Sequence, residues 1–190
     1  MGCRKETLID RQGRTLLERQ IERLSPHFPD LMLLGADAET VAPLNLRALP
    51  DQEPFVGRGP LAGLLTGLRS AQQPWLALLP IDCPNLPPEA FFQALESAID
   101  SSEILGFQDN GGANHWLPGL YHRRLLPEVQ QRLETNRLSL KSLIEKAATH
   151  YVSAASAWDP QAFENLNTPE EASALGFFVP PGPSDLGRDP

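Results

Sequence analysis

Cysteine is scarce in this sequence. Cys3 and Cys83 are the only two in 190 residues, and they form neither a CxxC pair nor a metal-ligand spacing. A disulfide scaffold and a zinc-knuckle module are thereby excluded, and a reduced, cytoplasmic setting is the simplest expectation. Long apolar runs are absent too. None approaches the length needed to span a bilayer, and the N-terminus lacks the apolar core of a signal peptide, so no membrane role is expected. Basic residues are outnumbered, 16 Lys and Arg against 24 Asp and Glu, for a net charge of -8. General nucleic-acid binding is disfavoured by that balance. An anionic substrate stays compatible with it where a metal and basic groups are placed locally. Aromatics are sparse, but 41% of the residues are hydrophobic. A chain of this size buries roughly 70% of its unfolded surface, enough for one domain without a staple.

The most informative stretch runs from Trp75 to Pro84, WLALLPIDCP. A short apolar run without alternation suits a strand buried on both faces, as in a parallel sheet. Pro80 and Pro84 favour an extended path. The strand is expected to be central, with Asp82 where it leaves the sheet. Ligands of open α/β sheets bind at that edge. A carboxylate there fits a divalent cation bridging to phosphate, and it also fits the plain role of capping a turn.

Periodicity organises the rest. Leu16, Leu17, Ile21 and Leu24 form a helical stripe, stopped by Ser25-Pro26. Leu31 to Leu34 predicts a short buried strand ending near Asp37, and Leu44 to Leu49 another ending at Pro50-Asp51. Gly57-Arg58-Gly59-Pro60 opens a helix whose buried face is Leu61, Leu64, Leu65 and Leu68. A glycine-rich entry of this kind can bring backbone N–H groups close to a phosphate or base, although it is usually structural. Pro87-Pro88 opens a helix expected to turn Phe91, Phe92, Leu95 and Ile99 inward. Ile104 to Phe107 reads as a strand, Asn110-Gly111-Gly112 as a turn, and His115 to Tyr121 as an extended segment pairing back. Val129 with Leu133, and Leu140 with Leu143 and Ile144, mark two more helices, and Tyr151-Val152 a last strand. Thr168-Pro169-Glu170-Glu171 combines a Thr cap, Pro at the first position and a capping-box Glu. The Pro- and Gly-rich tail 179–190 is expected to be disordered, leaving 1–178 as the domain. Strands alternating with helices predict an α/β three-layer sandwich with a mainly parallel central sheet.

Three stretches recur in a telling order: Gly59-Pro60-Leu61-Ala62-Gly63-Leu64, Leu79-Pro80-Ile81-Asp82-Cys83-Pro84, and Asn165-Leu166-Asn167-Thr168-Pro169. With Met1-Gly2-Cys3-Arg4-Lys5 ahead of them, they closely resemble the molybdenum cofactor guanylyltransferase family, the MobA-like nucleotidyltransferases. Residues 1 to about 175 carry the likeness, each motif being weak alone and specific in this order. The resemblance implies a Rossmann-like nucleotidyltransferase fold. It also implies GMP transfer from GTP to molybdopterin with Mg²⁺, and molybdoenzyme apoproteins or cofactor-biosynthesis proteins as further partners.

The same resemblance assigns residues. Asp82 matches the metal-binding aspartate, and Lys5 the lysine on the nucleotide phosphates, so these two are the implied catalytic pair. Gly2 and the loop Gly59, Pro60, Leu61, Ala62 and Gly63 match nucleotide-binding positions. Asp51 stands near the base-reading aspartate; the interval from Asp51 to Gly59 is one residue longer than is usual in the family, which makes Glu53 or a shifted loop the alternative. A carboxylate there can accept from both donors on the guanine edge. Asn165 and Asn167 match a segment implied to lie near the pterin phosphate or a second metal. Turn and cap chemistry before the last helix explains the same two residues. Relative to the family, the chain is expected to begin inside the nucleotide loop, one strand short, with Arg4 where Asp is usual. A cytidylyl- or sugar-nucleotidyltransferase of the same fold, or a non-catalytic shortened homologue, are the competing readings.

Overall fold

The structure, a computed structural model, describes residues 8–36, 44, 46–83, 85–154, 158, 161–166, 168–174 and 176–178. The tail 179–190, with Gly2, Lys5, Asp37, Pro84 and Asn167, lies outside the described residues.

Helix α1, Leu16–Leu24, starts at a full capping box: the Thr15 side chain accepts from the Glu18 amide, and Glu18 accepts from the Thr15 amide. Two otherwise unpaired groups are satisfied reciprocally. Strands β1, Met32–Leu34, and β2, Arg47–Leu49, pair in parallel. Helix α2, Pro60–Ser70, begins with Pro at its first position after Gly59, whose φ of 69° lies in the left-handed region open to glycine. Strand β3, Trp75–Leu78, follows, then α3, Glu89–Glu96, β4, Ile104–Gln108, and β5, Asn114–His122. A 3-10 turn, Arg123–Leu125, leads into α4, Leu126–Glu134; α5, Leu140–Ile144, β6, Thr149–Ser153, and α6, Pro169–Ala174, complete the order.

The larger sheet has the order β3-β5-β4-β6. β5 is antiparallel to both β3 and β4, while β4 and β6 are parallel, so three of its four strands share one direction. The extended segment predicted to pair back does so as β5, after a turn in which Asp109 accepts from the Gly111 and Ala113 amides. Alternating side chains feed two faces. Ile104, Tyr121 and Leu76 pack with α2, α4 and α5; Leu105, Phe107 and Leu120 pack with α3 and with Trp158 and Ala162. This is the three-layer α/β sandwich, one layer of helices on each face. A third cluster, Leu8, Leu16, Leu166, Ala172 and Phe177, joins α1 to α6 with Ile81 against it.

Three expectations need correction. β3 was expected to be central and buried on both faces. Among the described residues it pairs on one side only, with β5, and three of its four residues are half-buried. β1 is half-buried throughout for the same reason: its far side and the free side of β3 both line one apolar cavity of about 1240 Å³. The inward face of α3 is Ala90, Phe91 and Ala94. Ile99 falls beyond the helix end and is exposed, and Phe92 stacks on Phe28 with ring centroids 5.3 Å apart.

Candidate active site

Asp82 sits in the turn that follows β3, half-exposed on the cavity wall. The turn is fixed from two elements, α1 and the 161–166 segment. The Asp82 carbonyl accepts from the Leu166 amide at 2.8 Å. The next residue, Cys83, has a carbonyl that accepts from Gln20 Nε2 of α1 at 3.1 Å, and a thiol that donates to the Ala162 carbonyl at 3.4 Å. Within the turn the Cys83 amide donates to the Pro80 carbonyl. Cys83 is fully buried, and burial, reinforced by the Asp82 charge, pushes its thiol up to about 12. A thiol held protonated is no nucleophile, so Cys83 is a packing and hydrogen-bonding residue. Arg23 of α1 donates to the Leu86 carbonyl just downstream. The turn is therefore a rigid mount for the Asp82 carboxylate.

The same cavity wall includes Pro60, Gly63 and Leu64 from the start of α2 and Leu34 from the end of β1. The structure thus brings Asp82 together with the first turn of α2. Leu61 and Ala62 are buried in the core, and neither is on the cavity wall. No side chain caps this helix at Gly59, and the Ala62 amide donates to the Gly59 carbonyl at 3.0 Å. The loop before it is anchored by buried Phe55 and by Asp51, whose carboxylate accepts from the Gly57 amide at 3.2 Å. Asp51 follows β2, half-exposed, and Glu53 is exposed. Asp51 is absent from the cavity wall that carries Asp82. Asn165 is exposed on the segment whose next residue, Leu166, binds the Asp82 carbonyl.

Reading the sequence did not single out Gln20, although it forms the one side-chain link from α1 to Cys83 described above. A polar residue within a buried helical stripe was the available signal, since it must find a partner. The motif Thr15-x-x-Glu18 was equally available and was passed over. Asp109, paired with His115 at 2.8 Å, gave no local signal, because the pair forms across the β4–β5 turn.

Among the described residues no three His, Cys, Asp or Glu side chains converge as a metal cage. An oxygen-ligated ion of the Mg²⁺ type takes one or two carboxylates, with water and substrate phosphates completing its shell, and the Asp82 mount suits that donor set.

An α/β sandwich with a carboxylate past the carboxyl end of β3 and a glycine-opened helix beside it fits a nucleotide-binding enzyme, and the family match makes it a nucleotidyltransferase. The chain belongs to the MobA-like NTP transferase domain family, whose pattern matches residues 1–152. A molybdenum cofactor guanylyltransferase of Vibrio parahaemolyticus is 30% identical over 178 residues, covering 93% of this chain and 88% of that protein. The molybdopterin-guanine dinucleotide biosynthesis protein A of Archaeoglobus fulgidus superposes with a TM-score of 0.76 at 18% identity, over 92% of this chain and 90% of that one. A Mycobacterium tuberculosis protein solved as a manganese complex superposes with a TM-score of 0.65 at 18% identity, over 92% of each chain. Both structural likenesses speak for the fold.

Proposed function

We propose that this nucleotidyltransferase transfers GMP from GTP to molybdopterin, giving the guanine dinucleotide form of the cofactor and pyrophosphate. The observation that carries the reading is the shared wall on which Asp82 and the α2 opening meet. The 30% identity to a guanylyltransferase along nearly the whole chain supports the choice of substrates.

Phosphoryl chemistry of this kind needs in-line positioning and charge neutralisation more than a protein nucleophile. A phosphate oxygen of molybdopterin forms a bond to the α-phosphorus of GTP, and the bond from that phosphorus to the bridging oxygen breaks as pyrophosphate leaves. Asp82 holds the divalent cation, Mg²⁺, which when bound supplies the positive charge that screens the phosphates. The backbone around Gly59 to Gly63 faces the nucleotide, and Lys5 and Gly2 complete the phosphate contacts. Asp51 accepts from the guanine edge. Asn165 and Asn167 are assigned to the acceptor. The enzyme works in the cytoplasm, and its product passes to molybdoenzyme apoproteins.

Incubation with molybdopterin, Mg²⁺ and one nucleotide at a time, read by mass spectrometry and pyrophosphate release, tests the reading. GTP is expected to be used and CTP and ATP rejected, because a donor-reading carboxylate left unpaired is costly. Preference for CTP would move the chain to the cytidylyl branch. Asp82→Asn is expected to remove nearly all turnover with the melting temperature kept. Turnover within about threefold of the parent at saturating Mg²⁺ would clear Asp82 of the role.

A further inference from the structure

Beside the Asp82 turn lies a unit that the proposed reaction leaves unused. His115 Nε2 is 2.8 Å from Asp109 Oδ2, and the other Asp109 oxygen accepts from two backbone amides. The carboxylate is locked, so the imidazole edge is locked with it. One face of the His115 ring lies flat on Phe163, with centroids 4.5 Å apart and planes 11° from parallel. Phe163 in turn touches the rings of Phe107 and Trp158.

Phe163 is the middle of the 161–166 segment. Residue Ala162 takes the Cys83 thiol, and Leu166 gives its amide to the Asp82 carbonyl. The segment therefore touches the Asp82 turn at both of these points. His115 of β5 contacts its centre by stacking on Phe163. Asn165, assigned above to the acceptor side, lies between Phe163 and Leu166.

We propose that His115, oriented by Asp109, is a positioning residue for the acceptor: through Phe163 it clamps the 161–166 segment against the Asp82 turn. The proposal rests on the GMP-transfer reading for what the acceptor is, and on contacts alone for the clamp. A planar ring held at its edge and stacked on its face transmits position better than a flexible chain does, because a small misplacement of a reactant costs much of the rate.

The test compares the parent with His115→Ala, which removes the ring and its hydrogen bond to Asp109, and His115→Phe, which keeps the ring. His115→Ala is expected to raise the KM for molybdopterin about tenfold while the KM for GTP stays within about twofold. Amide exchange should quicken over 161–166 and stay unchanged in β6. His115→Phe should restore most of the acceptor KM and the exchange protection. Equal rises in both KM values, or exchange over 161–166 unaltered in His115→Ala, would overturn the clamp. If the parent transfers nothing to molybdopterin, the function reading fails by itself. Exchange in the two variants then still decides whether His115 holds the segment.

Discussion

Single side chains at this site act mostly through backbone they hold. Gln20, buried on α1, fixes the Cys83 carbonyl; the Asp109 carboxylate fixes a turn and a ring. Asp109 is also where pH should be felt. The hydrogen bond to His115, helped by the Ala113 and Gly111 amides and opposed by burial, holds its carboxyl below the ordinary carboxylate value of 3.8. A folded-state value below the unfolded one contributes stability that is present above 3.8 and lost as pH falls through the lower folded value. Asp109→Asn should therefore melt below the parent at pH 5 to 7, a range taken as roughly neutral to mildly acid. The two melting temperatures should converge as pH is taken below 3.8. A gap that stays constant across the acid range would show that the ionised carboxylate contributes nothing.

Elements were legible where local chemistry decides them. The stripe Leu16-Leu17-Ile21-Leu24, the Gly59-Pro60 helix entry and the Thr168 capping box all appear as helices at the expected places. The turn at Asn110-Gly111-Gly112 returns the chain as β5. What sequence did not reveal is set by the pairing of strands: β5 slotting between β3 and β4, and Asp109 meeting His115 across the β4–β5 turn. The inserted strand imposes its own demand at Gly106, where the β4–β5 register shifts between Leu105 and Phe107. A methyl group there would lie 2.6 Å from the His115 carbonyl oxygen and 2.7 Å from the Tyr151 ring. The first contact is backbone, which cannot swing aside. Gly106→Ala is expected to cost about 1–3 kcal/mol in urea denaturation, the usual range for overpacking a tight core. It should also loosen the 161–166 segment by moving His115. A loss under about 0.5 kcal/mol would mean that the strand pair yields more readily than this geometry implies.

At the scale of the molecule, the described strands form two sheets that share one helix. β1 and β2 form the first, β3 to β6 the second, and α2 runs under both, with Leu34 of β1 and Leu76 of β3 meeting over Gly67. The half-burial of β1 and β3 could not be read from their apolar sequences, because the pattern records what a strand can bury and the cavity beside them sets what it does bury. That cavity has a mechanical consequence. A methyl group on Gly67 would stand 2.7 Å from Leu76 Cδ2 and 3.0 Å from Leu34 Cδ1, as tight as at Gly106. Here the obstacles are the tips of two leucines that line the cavity, so each has open space on one side. Gly→Ala inside a helix gains about 0.5–1 kcal/mol by itself. Gly67→Ala is therefore expected to leave stability unchanged or slightly raised in urea denaturation, although its shortest contact is close to that of Gly106→Ala. Were the two sheets instead closed on each other around those leucines, the methyl would have nowhere to go and the variant would lose about 1–3 kcal/mol. A loss of that size, with Gly106→Ala measured alongside, would show that the space between β1 and β3 is filled in solution.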